Sequence, residues 1–447
     1  MLEDLLKERA KKKEALQSAG YLLYPARVKR THTNAALLKS FAVLVKGKKK
    51  VSVVGRIMGM RGQGGIVFLD LVDGTGKVQA VLKEENLKDF ELFKNNLDIG
   101  DFVEIGGAPF LTKRGEKSVE AKTFLPIGKS MRPLPSVWHG LQDVEERFRR
   151  RYLDILLNKE VKENLEKRSE IVKTIRGFLE KSGFLEVETP MLQPIPGGAV
   201  ARPFTTHHNA LDVDFYLRVA PELYLKRLLA GGFEKVFEIG RNFRNEGIDR
   251  DHNPEFTVME MYWAYADYED LMKLTEKMLK PFISGKWERM TFAEAIRKFS
   301  GSDYKTLSAD KLEDFFKQNV RPKIEKPTFI TDYPEATMPL AKLREDNPEL
   351  TESFQLIVNG VEIVKGFSEM NDPVVQREQM ERQEADFRKG NEESSRKDED
   401  FLEMLEYGMP PAAGLGIGID RLVVLATGAH SVKEIMFFPT LRPKNEP

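Results

Sequence analysis

Alternation of apolar and polar positions marks two neighbouring segments before anything else. In Phe237–Arg244, an extended chain places Phe237, Ile239 and Phe243 on one face and Glu238, Asn242 and Arg244 on the other. After a charged loop, Phe256, Val258, Glu260 and Tyr262 share one face of a return strand. The pair predicts a concave surface that gathers an arginine, two carboxylates, a tyrosine and the loop histidine His252. Upstream, Val161, Leu165, Val172, Ile175 and Leu179 form the apolar stripe of a long helix, which Gly183 closes as a left-handed cap. Phe184–Thr189 then alternates as a strand before Pro190. Asn359-Gly360 signals a tight hairpin that pairs Val358 with Val361 and sets Gln355 and Glu362 on one face. Glycines at 414, 416 and 418 precede an apolar helix, with Asp420 as its expected cap and Arg421 in its first turn.

The remaining pattern divides the chain. Residues 1–48 read as a helical, basic segment, with lysines and Arg9 early and Lys46–Lys50 late. These are expected to be solvated, with RNA phosphates as a second reading. Residues 49–130 carry short strands with glycine turns at Val51–Arg56, Gly65–Leu71, Gly76–Leu82 and Asp101–Ile105, the pattern of a small barrel of the OB type. A proline-bearing linker spans 131–139. The rest, 140–447, reads as one α+β domain with a helical, charged insertion at about 286–330 and a polar loop over Lys389–Asp400.

Composition narrows the class without naming it. The 447 residues are 41% apolar and 31% charged, with Lys+Arg and Asp+Glu equal at 70 each. Any RNA binding must therefore come from a local patch. No apolar run reaches the roughly 18 residues of a membrane span, and no signal-peptide core is present. The absence of cysteine excludes disulfides, zinc–thiolate sites and thiol catalysis, and agrees with a cytoplasmic setting. Neither a dinucleotide fingerprint nor a P-loop occurs.

Three segments, in order, resemble the motifs of class II aminoacyl-tRNA synthetases. The helix–strand unit ending at Pro190 resembles motif 1, which builds a homodimer interface. Phe237–Tyr262 resembles motif 2, and Gly414–Leu425 resembles motif 3. A barrel before such a core is the layout of the aspartyl, asparaginyl and lysyl enzymes. The local match is to the lysyl family, through Gly197–Phe204, His207–Leu211, Ala220–Arg227 and Gly366–Pro373. A pocket that selects an alkylammonium needs buried carboxylates, because an unpaired buried charge costs several kcal/mol.

The resemblance implies ATP-dependent ligation of L-lysine to tRNA(Lys) through an adenylate, with Mg²⁺ accompanying ATP. It implies that Arg244 bridges the lysine carboxylate and the α-phosphate, and that Arg421 and His252 serve the outer phosphates. Glu246, Asn253 and Phe256 join the ATP site, with Glu362 and the Gln355 position at the metal. Gly198, Glu222, Glu260, Tyr262, Lys365, Phe367 and Glu369 line the lysine site. Arg56, Phe68, Gln79 and Glu116 read the anticodon. Two positions depart from the family pattern: Gln355 stands where a second metal-binding glutamate is usual, and Lys365 where an asparagine is usual. Lys365 either neutralises phosphate or points to solvent. Two other functions stay open: a non-ligating paralogue that binds nucleotide or RNA, and an aspartyl- or asparaginyl-type enzyme. Lysylation of a protein is a further variant of the same chemistry.

Overall fold

The computed structural model describes residues 2–135, 141, 143–308, 311–338, 340–391 and 396–443. Two compact units divide it, Met1–Asp143 and Val144–Pro447. In the first, five strands close a barrel: Val51–Gln63, Ile66–Asp73, Gly76–Lys83, Lys117–Gly128 and Phe102–Leu111, in that spatial order. The Lys117–Gly128 strand and a short helix, Phe90–Asn96, are additions to the pattern read from sequence. Leu16, Leu37, Phe41 and Leu44 of the N-terminal helices share one core with Leu69, Ala80, Val103 and Ile105 of the barrel. The early basic residues are therefore not all solvated. Arg9 is buried and donates to the carbonyls of Ser130 (2.7 Å) and Ile99 (3.2 Å), and Lys12 pairs with Asp98 at 2.8 Å.

The second unit is built on an eight-stranded sheet, antiparallel through its six central strands and parallel at both edges. Its order is Glu288–Thr291, Thr328–Thr331, Ser353–Val358, Val361–Ser368, Ala412–Gly418, Glu255–Ala264, Lys235–Phe243 and Leu185–Glu186. The helices Lys159–Lys181, Tyr268–Leu279 and Ile419–Thr427 bury Ile175, Leu271 and Leu422 against Met259, Met261, Leu356 and Ile417. Strand period two then sends Glu260 and Tyr262 to the opposite face, where a cleft lies.

Several expectations need correction. The strand expected over Phe184–Thr189 is only Leu185–Glu186, because Phe184 turns into the core. The insertion is not wholly helical, since Glu288–Thr291 and Thr328–Thr331 extend the sheet edge. Its helices close a satellite core around Phe292, Phe316, Ile324 and Tyr333. Asp420 does not cap its helix. It accepts from Thr257 N at 2.9 Å and pairs with the buried Arg168 at 2.5 Å, tying motif 3 to motif 2 and the long helix. Of the polar loop at 389–400, residues 392–395 lie outside the described residues, and Asp398 caps the helix Glu399–Tyr407 through Phe401 N.

Candidate functional site: a cleft with an acidic and a basic end

One cleft of about 720 Å³ takes in most of the residues singled out above. Phe256, Val258, Glu260 and Tyr262 form its floor, with Arg244, Glu246, His252 and Asn253 from the preceding strand and loop. The Val361–Ser368 strand adds Glu362, Lys365 and Phe367, and Arg421 enters from the first turn of the final helix.

Its inner end is acidic. Glu222 and Glu260 line it, Glu369 lies behind the lining, and all three are buried around Lys226, which has no exposed surface. Lys226 Nζ donates to Glu222 Oε1 at 2.6 Å, the i,i+4 pair of a single helix. It also forms an ion pair with Glu369 Oε2 at 2.5 Å. Burial lowers the Lys226 ammonium, but Glu222 and Glu369 more than offset this and hold its pKa above the ordinary value. One ammonium cannot satisfy three carboxylates, and the Arg218 and Arg244 guanidiniums near Glu260 offset its burial only in part. Burial, reinforced by Glu222, pushes Glu260 up to about 8. Glu369 is likewise pushed up to about 8, with burial outweighing the nearby Lys226. Tyr262 donates to Glu260 Oε2 at 3.1 Å, and burial beside these carboxylates holds its phenol far above the usual range.

Glycine geometry keeps this end tight. A Cβ on Gly414 would lie 2.4 Å from Glu369 Oε1 and 2.3 Å from the Tyr262 ring. The room at Gly414 is thus taken by those side chains rather than by a ligand. Gly198, at φ +86°, sits where a Cβ would meet that of Glu222 at 2.8 Å.

The outer end is basic. Arg421 donates to the Glu362 carbonyl at 3.3 Å and lies 3.2 Å from His252 Nε2. That contact makes Nε2 the acceptor, so Nδ1 carries the proton and donates to Asp249 at 2.9 Å. Between the ends, Arg244 sits over the Phe256 ring at 5.1 Å, with its Nε covered and without a partner. Burial lowers its pKa, against the carboxylates of Glu246 and Glu260. Asn253 spends its amide internally, donating to the Glu255 carbonyl at 2.7 Å and accepting from Thr440 N at 3.3 Å. Glu246 is exposed at the mouth.

The hairpin turns as expected at Asn359 and Gly360, both with positive φ, but a bulge at Ile363 shifts the register. Gln355 pairs with Lys365 and Ile357 with Glu362, so Glu362 and Lys365 share the cleft face despite their odd spacing. Lys365 therefore lines the cleft rather than facing away. Gln355 is buried in a side recess, its oxygen accepting from Tyr333 at 3.0 Å.

The family model for class II tRNA synthetases (D, K and N) matches residues 143–442, and the model for the OB-fold nucleic acid binding domain matches 51–127. The chain belongs to the class II lysyl-tRNA synthetase family. A lysine–tRNA ligase of Pelotomaculum thermopropionicum is 45% identical over 99% of this chain and 96% of its own length. Those of Carboxydothermus hydrogenoformans and Moorella thermoacetica are 45% and 44% identical, each covering 99% of both chains. Membership agrees with the barrel followed by an antiparallel class II sheet.

On the barrel, Arg56, Phe68 and Glu116 of the residues expected to read an anticodon are at least partly exposed, whereas Gln79 is buried. Phe68 alternates with the core residues Val67 and Leu69, so its ring points outward, with the Arg61 guanidinium 5.9 Å from its centre. Arg56 lies 4.5 Å from the Phe102 ring on the same side of the wall. Gln79 is more buried than a base reader need be, because its oxygen accepts from Ser118 at 2.9 Å. Glu116 is exposed beside it, at the turn entering the Lys117–Gly128 strand. Among the described residues no helix is long and apolar enough to cross a membrane.

Two residues, Arg321 on the cleft lining and Lys226 behind it, bear no functional mark in the sequence. Lys226 was visible only as an i,i+4 partner of Glu222, and Arg321 of the insertion carried no local signal at all.

Proposed function

We propose that this chain ligates L-lysine to tRNA(Lys) at the expense of ATP, through a lysyl-adenylate. The observation that carries the reading is the charge balance of the acidic end. Three buried carboxylates share one buried ammonium, and even with Arg218 and Arg244 near Glu260, burial holds Glu260 and Glu369 toward the protonated form. L-Lysine brings two ammonium groups of its own. Its ε-ammonium fits at Glu222, with Phe367 alongside and the Lys226–Glu369 pair behind, and its α-ammonium fits at Glu260. An aspartate side chain would meet repulsion at the same place.

Arg244, between the two ends, is suited to hold the lysine carboxylate and the ATP α-phosphate together. The carboxylate oxygen attacks the α-phosphorus, the bond to the bridging oxygen breaks, and pyrophosphate leaves. Phe256 offers a stacking face for adenine and Glu246 an acceptor for its amino group. Arg421 and His252 meet the outer phosphates, and the tRNA 3′-terminal hydroxyl then takes the lysyl group and releases AMP. No protein nucleophile is needed; positioning and charge neutralisation do the work.

Glu362 is half-buried on the cleft face, its Oε1 3.9 Å from Arg421, and fits the usual way of holding Mg²⁺ through one carboxylate plus substrate phosphates. Bound there with ATP, Mg²⁺ would supply phosphate charge neutralisation. Phe68, with Arg56, Gln79 and Glu116, is the proposed anticodon surface, since base–aromatic stacking suits an outward ring. Exposed Leu185, Met191 and Leu192 beside motif 1 support a homodimer, and the lack of cysteine supports a cytoplasmic setting.

ATP–pyrophosphate exchange across all twenty amino acids tests the reading. Exchange with lysine, and not with aspartate or asparagine, is expected; no exchange with any amino acid would favour a non-ligating paralogue.

A further inference from the structure

The recess beside Glu362 does not suit a second protein-held metal ion. Its volume is about 10 Å³, the room of roughly one water. Gln355 offers a neutral amide whose oxygen is already taken by the Tyr333 hydroxyl, and amides are weaker ligands than carboxylates for a hard cation. Among the described residues, no cluster of three or more histidine, aspartate or glutamate side chains is placed to hold a metal. Cations line the space instead: Arg321 and Lys317 border both the recess and the main cleft, and Lys365 and Arg421 border the cleft. Of the carboxylates there, Glu313 is paired with Lys317 at 2.8 Å, which leaves Glu362 against Arg321, Lys365 and Arg421.

Arg321 is held in position from outside the cleft. It opens the short turn Arg321–Lys323, and two backbone hydrogen bonds clamp the following residues onto the hairpin tip. Asn359 N donates to the Glu325 carbonyl at 3.0 Å, and Gly360 N to that of Ile324 at 2.8 Å. The close fit is enforced by Gly360, where a Cβ would meet Pro322 Cα at 3.1 Å. Arg321 Nε is buried with no hydrogen-bond partner. A clamped guanidinium with an unused donor, in a surplus of positive charge, suits a polyanion.

We propose that Arg321, carried by the insertion, grips the outer phosphates of ATP and the departing pyrophosphate, doing with a fixed side chain what a second cation would do. The inference rests on the lysine-ligase reading and adds to it a phosphate contact from outside the three motifs. Because the guanidinium needs no metal, binding of the polyphosphate should persist, weakened, when Mg²⁺ is removed.

The test is calorimetric titration of the full-length protein and its Arg321→Ala and Arg321→Lys variants with ATP and with inorganic pyrophosphate, in EDTA and in Mg²⁺. Titration with lysine alone runs in parallel. Arg321→Ala should weaken pyrophosphate binding in EDTA by about tenfold or more, Arg321→Lys should recover part of it, and lysine affinity should not move. Equal pyrophosphate binding by the unmodified protein and Arg321→Ala would overturn the proposal while leaving the ligase reading intact. So would two Mn²⁺ ions per site, counted by electron paramagnetic resonance with ATP bound to the unmodified protein. Loss of lysine binding in the unmodified protein would instead count against the ligase reading.

Discussion

The two ends of the cleft solve opposite electrostatic problems with opposite materials. The acidic end is dry and closely packed: Lys226 and Glu369 are essentially unexposed, and Gly414 leaves no room for a side chain. The basic end is open, built from half-exposed side chains on a bulged hairpin, a loop and an inserted turn. Charges taken out of water cost far more when a partner is missing, so the dry end can discriminate between substrates. Charges at the wet end are screened and, apart from Arg321 with its covered Nε, individually weak, so affinity there has to come from several of them together. The difference teaches that amino acid specificity resides in a few irreplaceable residues and phosphate binding in a redundant set.

The sharpest way to break the comparison is to remove one acidic partner. Glu369→Gln or Glu222→Gln should lower kcat/KM for lysine by about a hundredfold or more, as expected for a desolvated ion pair. An unchanged kcat/KM in exchange would take that residue out of the pocket. The barrel offers an independent check, since its face acts on tRNA alone. Phe68→Ala should weaken tRNA charging by about 1–3 kcal/mol while leaving lysine-dependent exchange intact. If both fell together, Phe68 would be structural. At the basic end Lys365→Ala should change kcat/KM for ATP by only about two- to fivefold. A loss as large as that at Glu369 would erase the distinction between the ends.

A pH dependence sharpens the same contrast. Glu260 and Glu369 are pushed up to about 8 by burial in the free protein, so the folded state holds protons that the unfolded chain releases near its ordinary carboxylate range. Their contribution to stability therefore falls as pH rises through that window, up to about 8. Melting temperatures measured from pH 5 to 8 should decline less steeply for Glu260→Gln than for the unmodified protein. Identical slopes would show that Glu260 does not hold such a proton.

Much of the site was legible because its elements follow local rules. Strict alternation put Phe256, Val258, Glu260 and Tyr262 on one face, and the cleft has all four. Asn359-Gly360 fixed the turn, yet not the register beyond it. The bulge at Ile363 depends on neighbouring strands, and it decides that Lys365 shares a face with Glu362. Asp420 looked like a helix cap because capping is a local tendency, but Arg168, far away in sequence, competes for it and wins. Arg321 was invisible for the same reason: its place at the cleft depends on backbone bonds between the insertion and the hairpin tip. Lys226 was legible in principle, four residues after Glu222, but an i,i+4 pair on a helix is ordinarily a surface feature.

The central claim is that the acidic end waits, partly protonated, for the two ammonium groups of lysine. Proton release on lysine binding tests it most directly, measured at pH 7 by calorimetry in buffers of different ionisation enthalpy. The account predicts release of roughly one to two protons per lysine bound, falling on Glu260→Gln or Glu369→Gln substitution. Lysine binding with no release of protons would contradict it.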